Sequence, residues 1–324
     1  MCFSIKGLSI ICFTLVLKLC KIINTLRLLS VIFDEMNINI KKNIFLKPEY
    51  LNHKYISGNK YRKLKYNILE AKSKRFSTIL TFGGAFSNHI AATAAAGKEF
   101  GFKTIGIIRG EELKNKINEN PTLVFAKSCG MEFKFVTRDD FRNKSSEEFI
   151  EDLRFEFGDF YHIPEGGTNE LAIKGCEEIL TEEDKEFDYV CCPVGTGGTI
   201  SGIINCSKPS QQVLGFPALK GTFLKEDISK FAVQDNWRLI SDYHFGGYAK
   251  VNTELIDFLN QFKKDTNIPL DPIYTGKMMF GIYDLLKTGF FPENSKILVI
   301  HTGGLQGIAG MNKRLDKKGL PIIV

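Results

Sequence analysis

YVCCPVGTGGTISGIIN, residues 189–205, decides the fold class. Tyr189–Val194 is a continuous apolar run, the pattern of a strand buried on both faces, as in a parallel sheet. Gly195-Thr196-Gly197-Gly198-Thr199 follows without a spacer and leads into a helix expected over Ile200–Asn205. Small residues in such a turn let backbone N–H groups converge on an anion, and the helix dipole adds positive potential. Thr196 and Thr199 can add hydroxyl donors. The loop therefore reads as a cradle for one phosphate group. A dinucleotide fingerprint would place glycine where Ile200 stands, and no Gly-Lys-Ser/Thr loop occurs. The plainer alternative is a tight strand-to-helix turn with no ligand.

The same alternation runs outward in both directions. Strands are expected at Thr78–Phe82, Thr104–Ile108, Phe133–Val136, Phe160–Ile163, Val213–Phe216, Arg238–Ser241 and Lys296–His301. Helices are expected at Asn88–Phe100, closed by Gly101, at Pro121–Ser128, and at Ser145–Phe157 with Ser145 or Ser146 as cap. Three more are expected at Asn169–Leu180 behind Thr168 as N-cap, Thr253–Asp265 and Lys277–Lys287. Repeated βα units argue for an α/β fold of twisted, mostly parallel sheets with helices on both faces. In such sheets ligands bind at the carboxyl ends of strands. Glycine-rich loops fall there at Gly83–Gly84, Gly166–Gly167, Gly195–Gly198 and Gly303–Gly304.

Composition narrows the function classes. The 324 residues are 44% hydrophobic and 25% charged, as in ordinary soluble domains. The net charge of +6 is scattered over short runs such as Lys41–Lys42, Lys72–Arg75 and Lys313–Lys318. That reads as solvated faces, so no nucleic-acid partner is expected. The eight cysteines show no CxxC spacing and no histidine pair completes a zinc pattern, so no metal is expected. A reducing, cytoplasmic location fits. Leu8–Leu17 is too short to cross a bilayer and lacks a small-x-small cleavage site, so no membrane partner is expected. Residues 1–35 are read as a leader or a mis-assigned start, with Met36 as the alternative beginning.

Three more segments carry chemistry. Ser57-Gly58-Asn59-Lys60-Tyr61-Arg62-Lys63-Leu64 holds a lysine that, if desolvated, loses its proton easily, as imine formation requires. A phosphate cradle together with such a lysine suggests pyridoxal 5′-phosphate. Ser57-x-x-Lys60 and Lys287-Thr288-Gly289 also match two of three serine-acylase motifs. The middle motif fails, reading Ser241-Asp242-Tyr243. In Gly83-Gly84-Ala85-Phe86-Ser87-Asn88-His89, Ser87 and Asn88 are site candidates or N-caps, and His89 is a site candidate or a packed histidine. In Asp271-Pro272-Ile273-Tyr274-Thr275-Gly276-Lys277, Tyr274 is a site or core residue and Thr275 a plausible cap.

Taken together the chain resembles the 1-aminocyclopropane-1-carboxylate deaminase and D-cysteine desulfhydrase family. That family belongs to the tryptophan-synthase-β-like pyridoxal-phosphate enzymes of fold type II. The matching motifs are GNKYRKLKY (58–66), GGAFSNH (83–89), PEGGTNELAIKG (164–175), GTGGT (195–199), DPIYTGKMMFG (271–281) and HTGG (301–304), in family order. The resemblance implies Lys60 as the Schiff-base lysine that later moves the Cα proton. It implies Asn88 on the cofactor ring hydroxyl, Ser87 on the substrate carboxylate and, in the deaminases, as a catalytic nucleophile, and Gly195, Thr196, Gly197, Gly198 and Thr199 around the phosphate. It further implies His89, Tyr248, Tyr274 and Thr275 beside the substrate, with Tyr274 catalytic, and Thr302 opposite the pyridine nitrogen.

Two positions discriminate within the family. The deaminases resemble one another in carrying Glu after the tyrosine and Leu in the last motif. This chain has Thr275 and Thr302, the choice of the desulfhydrases. Ring opening needs a special acid or nucleophile at Cβ, whereas expelling sulfide needs a Cα carbanion and a good leaving group. The expected reaction is β-elimination, D-cysteine to pyruvate, ammonia and hydrogen sulfide. The alternative is the ring-opening deaminase, and a catalytically idle binding protein is the rival from another class. One departure precedes the lysine motif. The family usually reads Lys-Arg-Glu-Asp-Leu where this chain has Lys47-Pro48-Glu49-Tyr50-Leu51. The resemblance implies a homodimer of two-domain subunits, with residues 64–165 inserted as the small domain and 36–63 plus 166–324 forming the large one.

Overall fold

Parallel pairing dominates two separate sheets. The computed structural model describes residues 37–324. The expected leader and the alternative start at Met36 lie outside the described residues, and Ile38–Val324 form the unit described below. In order the elements are β1 (Ile38–Lys41), β2 (Ile44–Lys47), α1 (Asn59–Ser73), β3 (Thr78–Gly84), α2 (Asn88–Phe100) and β4 (Lys103–Arg109). They continue with α3 (Pro121–Ser128), β5 (Glu132–Val136), α4 (Arg138–Arg142), α5 (Glu147–Phe157), β6 (Tyr161–Ile163), α6 (Glu170–Cys176), β7 (Tyr189–Val194) and α7 (Gly198–Cys206). The last are β8 (Gln212–Pro217), α8 (Phe223–Ser229), β9 (Trp237–Leu239), α9 (Thr253–Thr266), α10 (Thr275–Lys287), β10 (Ile297–Ile300) and α11 (Gly307–Asp316).

One sheet has the order β5-β4-β3-β6 and is parallel throughout. The other has the order β1-β2-β10-β7-β8-β9, with β1 alone antiparallel. The expected α/β class is what forms. Side chains alternate across each central strand, as the two-residue period of a strand demands. On β7 and β10, Cys191, Ile297 and Val299 enter one core cluster, and Val190, Cys192, Leu298 and Ile300 enter the other. Both faces are therefore covered, which explains the continuous apolar runs.

Ser87 and Ser146, cap candidates in the sequence, cap α2 and α5 with their side chains, and Gly101 closes α2 at φ 79°. Asn120 and Asn252, which the sequence reading did not single out, cap α3 and α9. Two expectations are corrected. Thr168 does not cap α6; the Asn169 side chain does, accepting from Ala172 N at 2.9 Å. Thr275 does not cap α10 either. Asp271 accepts from the backbone N–H groups of Ile273, Tyr274 and Thr275 at 2.9, 3.0 and 2.8 Å. Among the described residues no helix is long and apolar enough to cross a membrane.

Candidate active site

The carboxyl ends of β3, β6, β7 and β10 open onto one cavity of about 630 Å³, counting the space at its mouth. This is the position that parallel sheets reserve for ligands. Lys60, Ser87, Asn88, His89, Gly195, Thr196, Gly197, Thr199, Tyr248, Tyr274 and Thr302 all line it. Thr275 does not. Its side chain is fully buried and its hydroxyl donates to Asp271 Oδ1 at 2.7 Å.

Lys60 reaches the cavity because α1 starts against the loop after β10. Gly58 sits at φ 69°, and a Cβ there would lie 2.0 Å from Thr302 O. Only glycine permits that approach. Asn59 N then donates to Thr302 O at 3.2 Å. Enclosure by protein lowers the Lys60 pKa to about 7, and the nearby Lys63 charge adds to the effect. Half of the amine is thus neutral near pH 7, whereas an exposed lysine is ionised until about pH 10.4. The rate at which Lys60 takes up an aldehyde should therefore climb with pH to about 7 and then level off, read by stopped-flow absorbance. A rate still climbing well above that point would contradict the burial. Stability carries the opposite face of this shift. The unfolded lysine binds its proton up to a higher pH than the folded one, so the free protein gains stability as pH rises from about 7 towards about 10.

The loop expected to cradle a phosphate lies on the cavity wall, beside two residues the sequence did not reveal. Gly197 begins α7 at φ 83° with no side-chain cap, so the first-turn N–H groups are left for a ligand. Beside it lies Lys63, only 1% exposed, whose Nζ donates to Gly166 O at 2.9 Å and Thr168 Oγ1 at 3.0 Å. Thr196 Oγ1 lies at 3.5 Å from the same nitrogen. Its neighbours are neutral oxygens, and burial lowers its pKa. A buried ammonium among neutral oxygens is costly unless an anion completes it. Asn59, also unassigned from sequence, joins the two halves. It accepts from Lys60 Nζ at 3.3 Å and donates to Thr199 Oγ1 at 2.8 Å.

Hydrogen-bond direction fixes what the other walls can do. Ser87 Oγ accepts from His89 N and Ile90 N at 3.2 and 3.3 Å, leaving its own proton to donate into the cavity. Asn88 Oδ1 accepts from Gln306 at 2.9 Å, leaving its NH₂ group as donor. Thr81 Oγ1 donates to Ile163 O, so at 2.8 Å it accepts from His89 Nε2. His89 is therefore a neutral imidazole with Nδ1 bare, buried and without a partner. Burial, then the charges of Lys60 and Lys63, push its pKa well below the usual value. Tyr274 and Tyr248 meet edge to face, with ring centres 6.2 Å apart and ring planes at 64°. Burial raises both phenol pKa values, so both stay protonated at neutral pH.

Glu49 answers the departure before the lysine motif. It is 5% exposed and grips Arg62 through two bonds of 2.9 Å each. Arg62 lies on α1 two residues after Lys60, so the acid braces the helix that carries the amine. Tyr50 stands where the family has its second acid and packs against His301, with ring centres 4.2 Å apart. The serine-acylase motif has no such site, since Ser57 Oγ donates to Tyr50 O at 2.9 Å.

A near-neutral lysine, an uncapped helix start and a buried unpaired cation together fit pyridoxal 5′-phosphate. Comparison with known proteins agrees. The family described as "Pyridoxal-phosphate dependent enzyme" matches residues 31–303. The chain is 30% identical over 294 residues to an Arabidopsis thaliana protein named "Bifunctional D-cysteine desulfhydrase/1-aminocyclopropane-1-carboxylate deaminase, mitochondrial", covering 82% of this chain and 73% of that protein. It is 28% identical over 285 residues to the "1-aminocyclopropane-1-carboxylate deaminase" of Rhizobium rhizogenes, covering 78% and 84%. A crystal structure of an "ACC deaminase homologue" superposes with a TM-score of 0.73 at 28% identity, over 86% of this chain and 89% of that one. The chain belongs to the pyridoxal-phosphate-dependent enzymes of fold type II, in the group that unites 1-aminocyclopropane-1-carboxylate deaminases with D-cysteine desulfhydrases.

Proposed function

We propose that the chain is a β-eliminating lyase that converts D-cysteine and water to pyruvate, ammonia and hydrogen sulfide. The observation that carries this reading is the cavity wall. Among the described residues that line it there is no Asp or Glu. Thr275, where the deaminases place Glu, turns its hydroxyl onto Asp271 and away from the cavity.

Pyridoxal phosphate, when bound, supplies the electron sink that makes an amino acid's Cα proton removable. The chain's own groups do the rest. Lys60 Nζ holds the cofactor and then carries the Cα proton, a task suited to an amine with a pKa of about 7. Ser87 Oγ and the start of α2 receive the substrate carboxylate. Asn88, whose NH₂ group is left free, would hold the ring hydroxyl, and Thr302 on the cavity wall would serve the ring nitrogen. Lys63 and the Gly195–Thr199 loop neutralise the phosphate. The protonated Tyr248 and Tyr274 close the mouth over the side chain that leaves. We also take residues 64–165, which include the four-stranded sheet, as the smaller domain.

Ring opening of 1-aminocyclopropane-1-carboxylate is the second reading, favoured by the names of the relatives and by the free Ser87 proton. Keto-acid release separates the two. With D-cysteine, L-cysteine and the cyclopropane offered in parallel, pyruvate with sulfide from D-cysteine is expected. 2-Oxobutyrate from the cyclopropane, with no pyruvate from D-cysteine, would sink the first reading.

A further inference from the structure

Lys277 lies one turn beyond Tyr274 on α10 and is 2% exposed. Among the described residues no carboxylate pairs with it. Its Nζ donates instead to two backbone carbonyls, His244 O at 2.9 Å and Gly247 O at 2.8 Å. Both belong to the loop that presents Tyr248. That loop has an unusual backbone. Phe245, Gly246, Gly247 and Ala249 have φ values of 53, 86, 118 and 54°, all left-handed. Phe245 and Ala249 do not favour that region by themselves, so the surroundings impose it. The His244 ring and backbone brace the loop from inside, accepting from Gly246 N at 2.9 Å and Gly247 N at 3.0 Å. Arg314 reaches Ala249 O from the surface at 3.1 Å.

A position that only needed filling would hold an apolar side chain, because burying an ammonium without an acid is expensive. Burial indeed lowers the Lys277 pKa to about 8, against the pull of Asp271. The charge is useful where it stands. An ammonium offers several donors on one nitrogen, enough to gather two carbonyls of one loop. It also leaves the same helix face as Tyr274, three residues earlier.

We propose that Lys277 is a positioning residue whose ammonium latches the Tyr248 loop onto the helix that begins at Tyr274, and so sets the pairing of the two tyrosines. Its functional weight rests on reading those tyrosines as substrate-facing. The latch itself is a matter of structure and can be tested apart from turnover.

Hydrogen–deuterium exchange of the native protein, Lys277→Met and Lys277→Arg gives that test. In Lys277→Met the amides of residues 244–250 should exchange on the order of 10-fold faster or more, since two interior hydrogen bonds to the loop are lost. Uptake of the cofactor at Lys60 should be unchanged. Lys277→Arg, which can reach the same carbonyls, should recover part of the protection. In turnover, KM should rise several-fold with kcat little changed, the pattern of lost substrate binding. Native-like exchange over 244–250 in Lys277→Met would overturn the latch. Faster exchange with an unchanged KM would uphold the latch and remove Tyr248 from substrate binding. If Lys277→Met does not fold, Lys277→Gln, which keeps a donor without the charge, carries the same comparison.

Discussion

Lys60→Ala protein should release keto acid on the order of 10⁴-fold more slowly than the native enzyme, because one residue is lost from two tasks. On the proposed reading the amine is the covalent anchor, and burial brings its pKa to about 7. The substitution removes three methylenes and the amine from a cavity that already exists, so the fold should survive it. Phosphate binding should survive too, since Lys63 and the Gly195–Thr199 loop are untouched. The variant should therefore still bind pyridoxal phosphate, but without the visible band of the attached form, and borohydride should fix none of it. Native-like keto-acid release from this variant would remove Lys60 from the chemistry.

Glu49→Ala should cost about 3 kcal/mol of stability in the free protein, the low end for breaking a buried ion pair by removing one partner. Arg62 is buried and donates two bonds of 2.9 Å to the Glu49 carboxylate. Without them the guanidinium stays in the interior with less compensation. The loss stays near the low end because Glu178 Oε2 lies 3.7 Å from the same guanidinium. The urea midpoint should fall with an unchanged m value, since the same surface is exposed on unfolding. Asn52 Nδ2, which donates to Glu49 Oε2 at 3.1 Å and to Gly58 O at 3.0 Å, loses its first partner. That frees the turn that positions Lys60, so the cofactor should also bind more weakly. A loss under about 1 kcal/mol would mean that the pair is not the brace described above.

The parts of the fold set by periodicity were legible in the sequence. β7, β3 and β10 are apolar because both faces are covered, and the alternation of strand and helix follows from there. The parts that escaped were those where polar residues are buried. α1 reads NKYRKLKYNILEAKS, yet Arg62, Lys63 and Asn67 face inward. Its apolar stripe is thereby interrupted, and Gly58 gives it no side-chain cap. The helix that carries the anchor was therefore visible as a motif and not as a helix. β1 and β2 are four residues each and lie next to the uncertain start. α11 was hidden by its glycines, one of which, Gly310, makes room for the Phe86 ring at 2.7 Å from where a Cβ would stand.

The site divides in the same way. Residues that lie on strand-to-helix turns were readable, because glycine and cap residues mark those turns. Lys63 and Lys277 were not, since a buried lysine looks like any other lysine in a sequence. Thr275 shows the converse. Its place in the motif pointed to the substrate, but Asp271 needs a hydroxyl donor at the start of α10, and the side chain serves that carboxylate instead.

The central claim is that Lys60, and not its buried neighbour Lys63, holds the cofactor. The direct measurement is peptide mass mapping of protein loaded with pyridoxal phosphate and then reduced with borohydride. The pyridoxyl mass is expected on Lys60 alone. The same mass on Lys63, or on no lysine of α1, would contradict the account.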